Sequence, residues 1–375
     1  MCAKKPSSLL MVSLGKQIET SRVNNLNAIR LMLALAVIVC HAYVLSLGWE
    51  NGWEGKSNVE PLNILTHHQE QLGSVAVDLF FFISGMLITA SWLRSKSMQE
   101  FLMKRVLRIY PGFIVAVAFS GAVVLVFCPD FRAGIGHGIS WMLEMIKDWT
   151  FLSNNSLQGR NIFAGNPFPN LANGSLWTIP IEFGCYTLVA VIGLLCLFKH
   201  RMLVLMATAG ASFIYSVGLH RGEDVSHQEC RFLTYFLLGM CAWLWRDRIP
   251  FSKWLLLGCL GLLAAASQFK PWFSVLFPYL GSYCVLWLGY GVRIAFLAWT
   301  QKTDLSYGTY LYACPIQQLV AMHESLRYPL LNFVIATPLT LLLAFASWHL
   351  VEKRFLAMKN VPRTDFDPGA EVEIA

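Results

Sequence analysis

Arg30 and His41 stand eleven residues apart in the first long apolar stretch of the chain, residues 29–47, which reads IRLMLALAVIVCHAYVLSL. A helix turns about 100° per residue, so eleven residues make about three turns and put both side chains near one face, about 16 Å apart along the axis. An ionisable group in hydrocarbon is costly and usually faces a bundle interior or a wet cavity. A guanidinium at one end of such a helix and an imidazole deep within it therefore predict a site.

Two other apolar segments carry acids. Asp78 lies in GSVAVDLFFFISGMLI, residues 73–88, and Glu182 in SLWTIPIEFGCY, residues 175–186. Asp78, Glu182 and His41 fall at one depth, each a turn or two from the outer end of its own segment. That arrangement reads either as a histidine whose proton affinity is set by a nearby carboxylate, as general base chemistry requires, or as a polar network that ties helices together. A basic cluster, MKRVLRIYP at residues 103–111, sets Arg105 and Arg108 three residues apart on one helix face. Two guanidinium forks at that spacing suit phosphate oxygens; they also suit an ordinary basic anchor at a membrane surface.

The elements that must position these groups are membrane helices. The chain has 375 residues, of which 56% are hydrophobic and only 14% charged, against about 25% charged in a soluble globular protein. Its 13 Trp and 12 Tyr fit interfacial belts. The net charge of +7 fits cytoplasmic loops better than a nucleic-acid surface. Ten apolar spans are expected near 29–47, 73–93, 110–128, 176–198, 202–219, 231–245, 253–269, 275–299, 304–323 and 330–350. The fold class is all-α, a polytopic membrane helix bundle of about ten transmembrane helices. With the N-terminus cytoplasmic, 19 of the 29 basic residues fall in inner segments, 8, Arg231 among them, in outer ones, and Arg30 and Arg293 within spans. The positive-inside rule then places both termini in the cytoplasm.

Pro111 is expected to mark a break or a start of regular helix. The apolar stretch 141–152, in the long outer loop 129–175, is expected in the interface or re-entering the membrane. No cleavable signal peptide is expected, because 28 mostly polar residues precede the first span. The chain divides into a cytoplasmic segment 1–28, a transmembrane domain 29–355 and a cytoplasmic tail 356–375, whose last dozen residues read as disordered. The ten cysteines are scattered without metal-like spacing and read as small buried hydrophobes; no metal site is expected. The glycosylation-like triplets at Asn154 and Asn173 carry no assigned meaning, and no internal repeat is evident.

These residues together resemble the acyltransferase-3 family of integral membrane acyltransferases over residues 24–355. The resemblance rests on Asn27-Ala28-Ile29-Arg30 with His41, and on Ala76-Val77-Asp78 with Ile83-Ser84-Gly85. Arg105 to Pro111, Ser175 to Tyr186, Ser306 to Leu311, and Ser347-Trp348 with Val351-Glu352-Lys353 complete it. Each motif alone is weak; six in order, on the first four and the last two spans, are specific. Two departures stand out: Ala313 occupies a position where many relatives carry histidine, and Phe183 follows Glu182 where many carry a second acid.

The resemblance implies a multi-pass protein of a bacterial inner membrane that transfers an acyl group, most commonly acetyl, from acyl-CoA to a hydroxyl of a carbohydrate or lipid-linked glycan. It implies His41 as catalytic base, with Asp78 or Glu182 orienting the ring, and Arg30, Arg105 and Arg108 as the binding residues for acetyl-CoA, which enters as a substrate. Direct transfer and an acyl-histidine intermediate both fit. The partners implied are acyl-CoA, the glycan acceptor and membrane lipid, with no nucleic acid. A different class also fits buried charge on ten spans: a secondary transporter or flippase for a glycan or lipid, with His41 and Asp78 as a proton relay.

Overall fold

The structure is a computed structural model that describes residues 12–21, 24–52, 58–129, 131, 138–159, 161–221, 226–292 and 295–358. The expected disordered tail, together with Lys4, Lys5, Arg22, Lys56, Arg132, Arg160, Arg293, Lys359 and Arg363, lies outside the described residues.

Eleven helices carry the architecture: α1 (Leu26–Leu47), α2 (Leu72–Arg94), α3 (Met98–Phe127), α4 (Gly138–Phe151), α5 (Ile179–Leu194), α6 (Arg201–Arg221), α7 (Ser226–Leu244), α8 (Lys253–Ala266), α9 (Trp272–Gly291), α10 (Ser306–Ala321) and α11 (Pro329–Ser347). No β-strand occurs among the described residues. In hydrocarbon each backbone group must bond within its own segment, which helices alone achieve without closing a barrel. Each of the ten expected spans contains a helix among the described residues, the one expected at 275–299 ending at Gly291. Seven helices among the described residues are long and apolar enough to cross a membrane, α10 not among them; α10 is 16 residues long and buried almost throughout.

α1 is the hub and packs against α2, α10 and α11. The tightest seam joins α2 to α7, and its cause is a reciprocal pair of glycines. A Cβ on Gly85 would sit 2.0 Å from the Phe236 carbonyl oxygen, and one on Gly239 would sit 2.1 Å from that of Phe82. Small residues let membrane helices approach backbone to backbone where no hydrophobic force drives them together.

One local expectation is corrected. α3 runs through Pro111 from Met98; the Tyr307 hydroxyl donates to the Ile109 carbonyl at 2.9 Å, so a neighbouring helix supplies a hydrogen bond beside the proline. Most of the apolar stretch 141–152 forms α4, which ends at Phe151 and packs on α3, with Trp141 and Met145 against Gly121, while Met142, Leu143 and Ile146 face outward. The loop after α4 is organised by Asp148, which is fully buried and accepts from the backbone N–H of Asn155 (3.0 Å) and Ser156 (2.8 Å) and from the hydroxyls of Ser153 and Ser156. Asn173 is likewise buried; its amide donates to Ser120 and to the Leu311 carbonyl, so it ties this loop to α3 and α10.

Candidate functional site

Three cavities line up through the bundle. The first holds about 440 Å³ of empty space and is lined by Arg30, Ser84, Glu182, Ser306, Tyr307 and Tyr310 among others. The second, about 540 Å³, is lined by His41, Gly73, Ser74, Ser175, Trp177, Arg231 and Tyr310. The third, about 770 Å³, is lined by His41, Trp49, Phe168, Leu171, Trp177 and Cys314. Neighbours share walls: Val77 and Tyr310 border the first and second, while His41, Gly174 and Trp177 border the second and third. Because α1 is one unbroken helix, Arg30 and His41 keep their three-turn separation and mark successive positions along this row.

At the Arg30 end, one carboxylate holds two arginines. Asp304 Oδ2 accepts from Arg30 Nη1 at 2.8 Å and from Arg108 Nη2 at 2.7 Å. Its other oxygen accepts from the backbone N–H of Ser306 (3.2 Å) and from its hydroxyl, which fixes the carboxylate at the start of α10. Arg108 also lies 3.8 Å from Glu352 and sits over the Tyr307 ring, 5.4 Å from its centroid. Arg105 points elsewhere. It donates to Ser91 at 3.3 Å, lies between the rings of Phe101 and Tyr186, and keeps a buried Nε without a partner. Glu182 accepts from the Ser84 hydroxyl at 3.1 Å and from the Tyr186 hydroxyl.

The central cluster differs from expectation. Neither Asp78 nor Glu182 bonds His41, whose Nδ1 is buried without a partner. Asp78, fully buried, instead takes Arg231: Nε donates to both carboxylate oxygens at 2.9 Å and Nη2 to Oδ2 at 2.5 Å. The same Nη2 donates to Glu70 at 2.9 Å. Arg231, counted with the outer residues from its position, lies in the second turn of α7. Depth along a helix is readable from a sequence, but the direction a side chain takes around the helix depends on its neighbours. The glycine seam brings α7 close to α2, and a guanidinium is the strongest available partner for a buried carboxylate.

The far side of the His41 cavity is positioned by buried glutamines on α10. Gln318 donates to the carbonyls of Phe168 (2.9 Å) and Leu171 (2.8 Å) and accepts from Asn166. Gln317 donates to the Ile38 carbonyl of α1 at 2.9 Å, one turn before His41. Phe168 stacks on Trp49 with centroids 5.7 Å apart, and this ring pair and Trp177 both line the third cavity. Asp304, Glu70, Arg231, Gln317 and Gln318 were not singled out from the sequence. Glu352 was visible only as part of a family block, with no partner assigned. Among the described residues, no group of three or more metal-ligating side chains comes together.

The fold and this row of cavities define a multi-pass membrane protein with a histidine at the junction of two internal cavities and arginines at one end. Comparison with known proteins identifies the class further. The acyltransferase domain family matches residues 23–349, and the chain belongs to that family. It is similar to the O-acetyl transferase of Shigella phage Sf6, 30% identical over 92% of this chain and 99% of the relative. It is also similar to nodulation protein 10 of Rhizobium leguminosarum bv. viciae, 23% identical over 90% of this chain and 94% of that protein. Putative O-acetyltransferases of Staphylococcus aureus match at 26% identity over 52% of this chain and 34% of their own length. No solved structure matches significantly.

Proposed function

We propose that the protein transfers an acetyl group from acetyl-CoA to a hydroxyl of a carbohydrate or glycolipid, in a bacterial cell membrane. The observation that carries this reading is the position of His41 as the shared wall of two cavities, one leading toward the arginines and one lined by Trp49, Phe168 and Trp177. The reaction class follows from family membership and from relatives that carry the name O-acetyltransferase.

In this reading the Arg30 end faces the cytoplasm, as the distribution of basic residues supports. The donor's phosphates meet Arg105 and Arg108, and Arg30 lines the first cavity along which the thioester arm runs. The acceptor enters from the side of Trp49, Phe168 and Trp177, whose flat apolar faces suit the C–H face of a sugar ring. His41 removes the acceptor hydroxyl proton as the oxygen attacks the thioester carbon. Glu182, bonded to Ser84 and Tyr186 in the first cavity, lies along the donor arm and not on the imidazole.

Membrane vesicles from a strain carrying the protein, supplied with labelled acetyl-CoA, test the reading directly. Base-labile label should appear in the glycan or glycolipid fraction and be absent when the gene is deleted. Equal labelling with and without the gene would overturn the assignment.

A further inference from the structure

The second cavity contains a second functional group besides His41. Arg231 lines it, and the guanidinium spends Nε and Nη2 on Asp78 and Glu70 while Nη1 makes no hydrogen bond among the described residues. The three members are 17%, 0% and 5% exposed in their side chains, in that order. Asp78 comes from α2, Glu70 from just before it, and Arg231 from α7, and the Gly85–Gly239 seam fixes these helices against each other. A donor so held loses little freedom when a partner arrives. The cavity also presents the Ser175 hydroxyl, which is buried and has no hydrogen-bond partner. Unpartnered polar atoms on the wall of a buried cavity are unusual, because each costs free energy unless something polar comes to meet it.

We infer that Arg231 is the oxyanion donor of the transfer reaction, and that the buried Asp78 and Glu70 exist to aim it. The inference rests on the acetyl-CoA reading above. The acceptor O–H proton passes to the free nitrogen of His41 while the hydroxyl oxygen bonds to the thioester carbonyl carbon. The carbonyl π pair moves onto its oxygen, and that oxyanion accepts a hydrogen bond from Arg231 Nη1. When the pair returns, the C–S bond breaks, the leaving thiolate takes the proton from His41, and the products are an acetyl ester and CoA thiol. Asp78 and Glu70 are positioning residues, since they act through Arg231 and touch no reacting atom.

The test uses the full chain in membrane vesicles with labelled acetyl-CoA, reading kcat and KM for acetyl-CoA alongside thermal stability of the membrane-bound protein. Arg231→Gln should lower kcat on the order of 10²–10³-fold, the loss typical of one oxyanion donor, with KM little changed. That single variant also strands two acids, so Arg231→Gln is combined with Asp78→Asn and Glu70→Gln. The neutral triple variant should regain stability and remain as slow as the single one. Recovery of the wild-type rate in the triple variant would reduce the cluster to a helix tie and overturn the proposal. Arg231→Lys keeps a cation beside Asp78 and should stay stable while losing rate; a wild-type rate there would overturn the proposal too, even if the triple variant is not recovered in the membrane. A wild-type protein that transfers no label would overturn the underlying reading and this inference with it, whereas wild-type transfer with a fully active Arg231→Gln would overturn the inference alone.

Discussion

Two buried clusters of arginine and carboxylate lie along the same row of cavities, and they are built in opposite senses. At the Arg30 end one carboxylate, Asp304, serves two guanidinium groups. At the centre one guanidinium, Arg231, serves two carboxylates. In the first, Arg30 and Arg108 each spend one N–H on Asp304, with Glu352 a further 3.8 Å from Arg108, so hydrogen-bond donors are in excess, and Arg105 stands beside it with an unpartnered N–H. Such a cluster can exchange its internal carboxylate for an incoming anion. The second is saturated with negative charge and holds its arginine in one orientation, with a single edge left for the cavity. An excess of donors suits capture of a mobile phosphate; a pinned donor suits charge that appears only during reaction.

The comparison is sharpest at His41, which belongs to neither cluster. If chemistry occurs where the cavities meet, His41→Gln should abolish transfer, with a loss of about 10²–10⁴-fold, the usual contribution of general base catalysis. Donor binding should survive, because the arginine end is about three turns away. Measurement of acetyl transfer and of CoA binding on the same preparation checks both halves. Near wild-type transfer by His41→Gln would place the chemistry elsewhere.

Neutralising the acid in each cluster should have opposite consequences. Asp78→Asn removes the principal partner of Arg231 in a site without exposure, and breaking a buried pair from one side costs about 3–5 kcal/mol. Thermal stability in detergent or nanodiscs should fall accordingly, and activity with it. Asp304→Asn should destabilise less, because Arg108 keeps Glu352 nearby, and it should tighten CoA binding by about tenfold, or ~1.4 kcal/mol, by releasing two guanidinium groups. Weaker CoA binding in Asp304→Asn would show that the carboxylate positions the arginines and does not compete with the donor.

Within the arginine end, Arg105→Ala should weaken CoA binding by about 1.5–3 kcal/mol, roughly 10- to 150-fold, the value of one charge-assisted contact. Arg108→Ala should cost less binding and more stability than Arg105→Ala, since Arg108 is tied to Asp304 and lies near Glu352 while Arg105 has only Ser91 and two rings. Equal effects on both properties would remove the distinction drawn between the two residues.

Much of this molecule was legible in the sequence, and the part that was not has one physical cause. Apolar runs of 15 to 25 residues predict helices because hydrocarbon admits little else, and each of the ten segments contains one among the described residues. The three-turn relation of Arg30 to His41 needed only helix geometry. Pairing between helices was not readable. Asp78 and His41 share a depth, yet Asp78 turns to Arg231, a residue whose sequence position placed it with an outer loop. Asp304, between a polar turn and α10, gave no sign that it would collect two arginines from α1 and α3. What determines those pairings is the azimuth of each helix, fixed by contacts such as Gly85 against Phe236 that a single sequence does not display. The glycines themselves, Gly73 and Gly85 in α2 and Gly239 in α7, were the available signal, and they point to close approach without naming the partner.

The smallest effect expected lies at the aromatic end, where positioning is done by neutral groups. Gln318 is fully buried and gives its amide to the Phe168 and Leu171 carbonyls while accepting from Asn166. Gln318→Leu is close in volume, so packing should hold. Two loop carbonyls would lose a partner, at about 1–3 kcal/mol for each group left unsatisfied and less where water reaches the loop, while the Asn166 amide keeps the Gln318 backbone carbonyl. The third cavity, whose wall these bonds hold in place, should widen and lose its shape. Affinity for acetyl-CoA should not change if, as proposed, the donor arm approaches His41 from the other side. The KM for the glycan acceptor should rise several-fold with kcat for bound acceptor largely kept, the signature of lost uniform binding. A rise in the KM for acetyl-CoA instead would place the donor, not the acceptor, in the cavity lined by Trp49 and Phe168, and would reverse the direction in which the two substrates meet at His41.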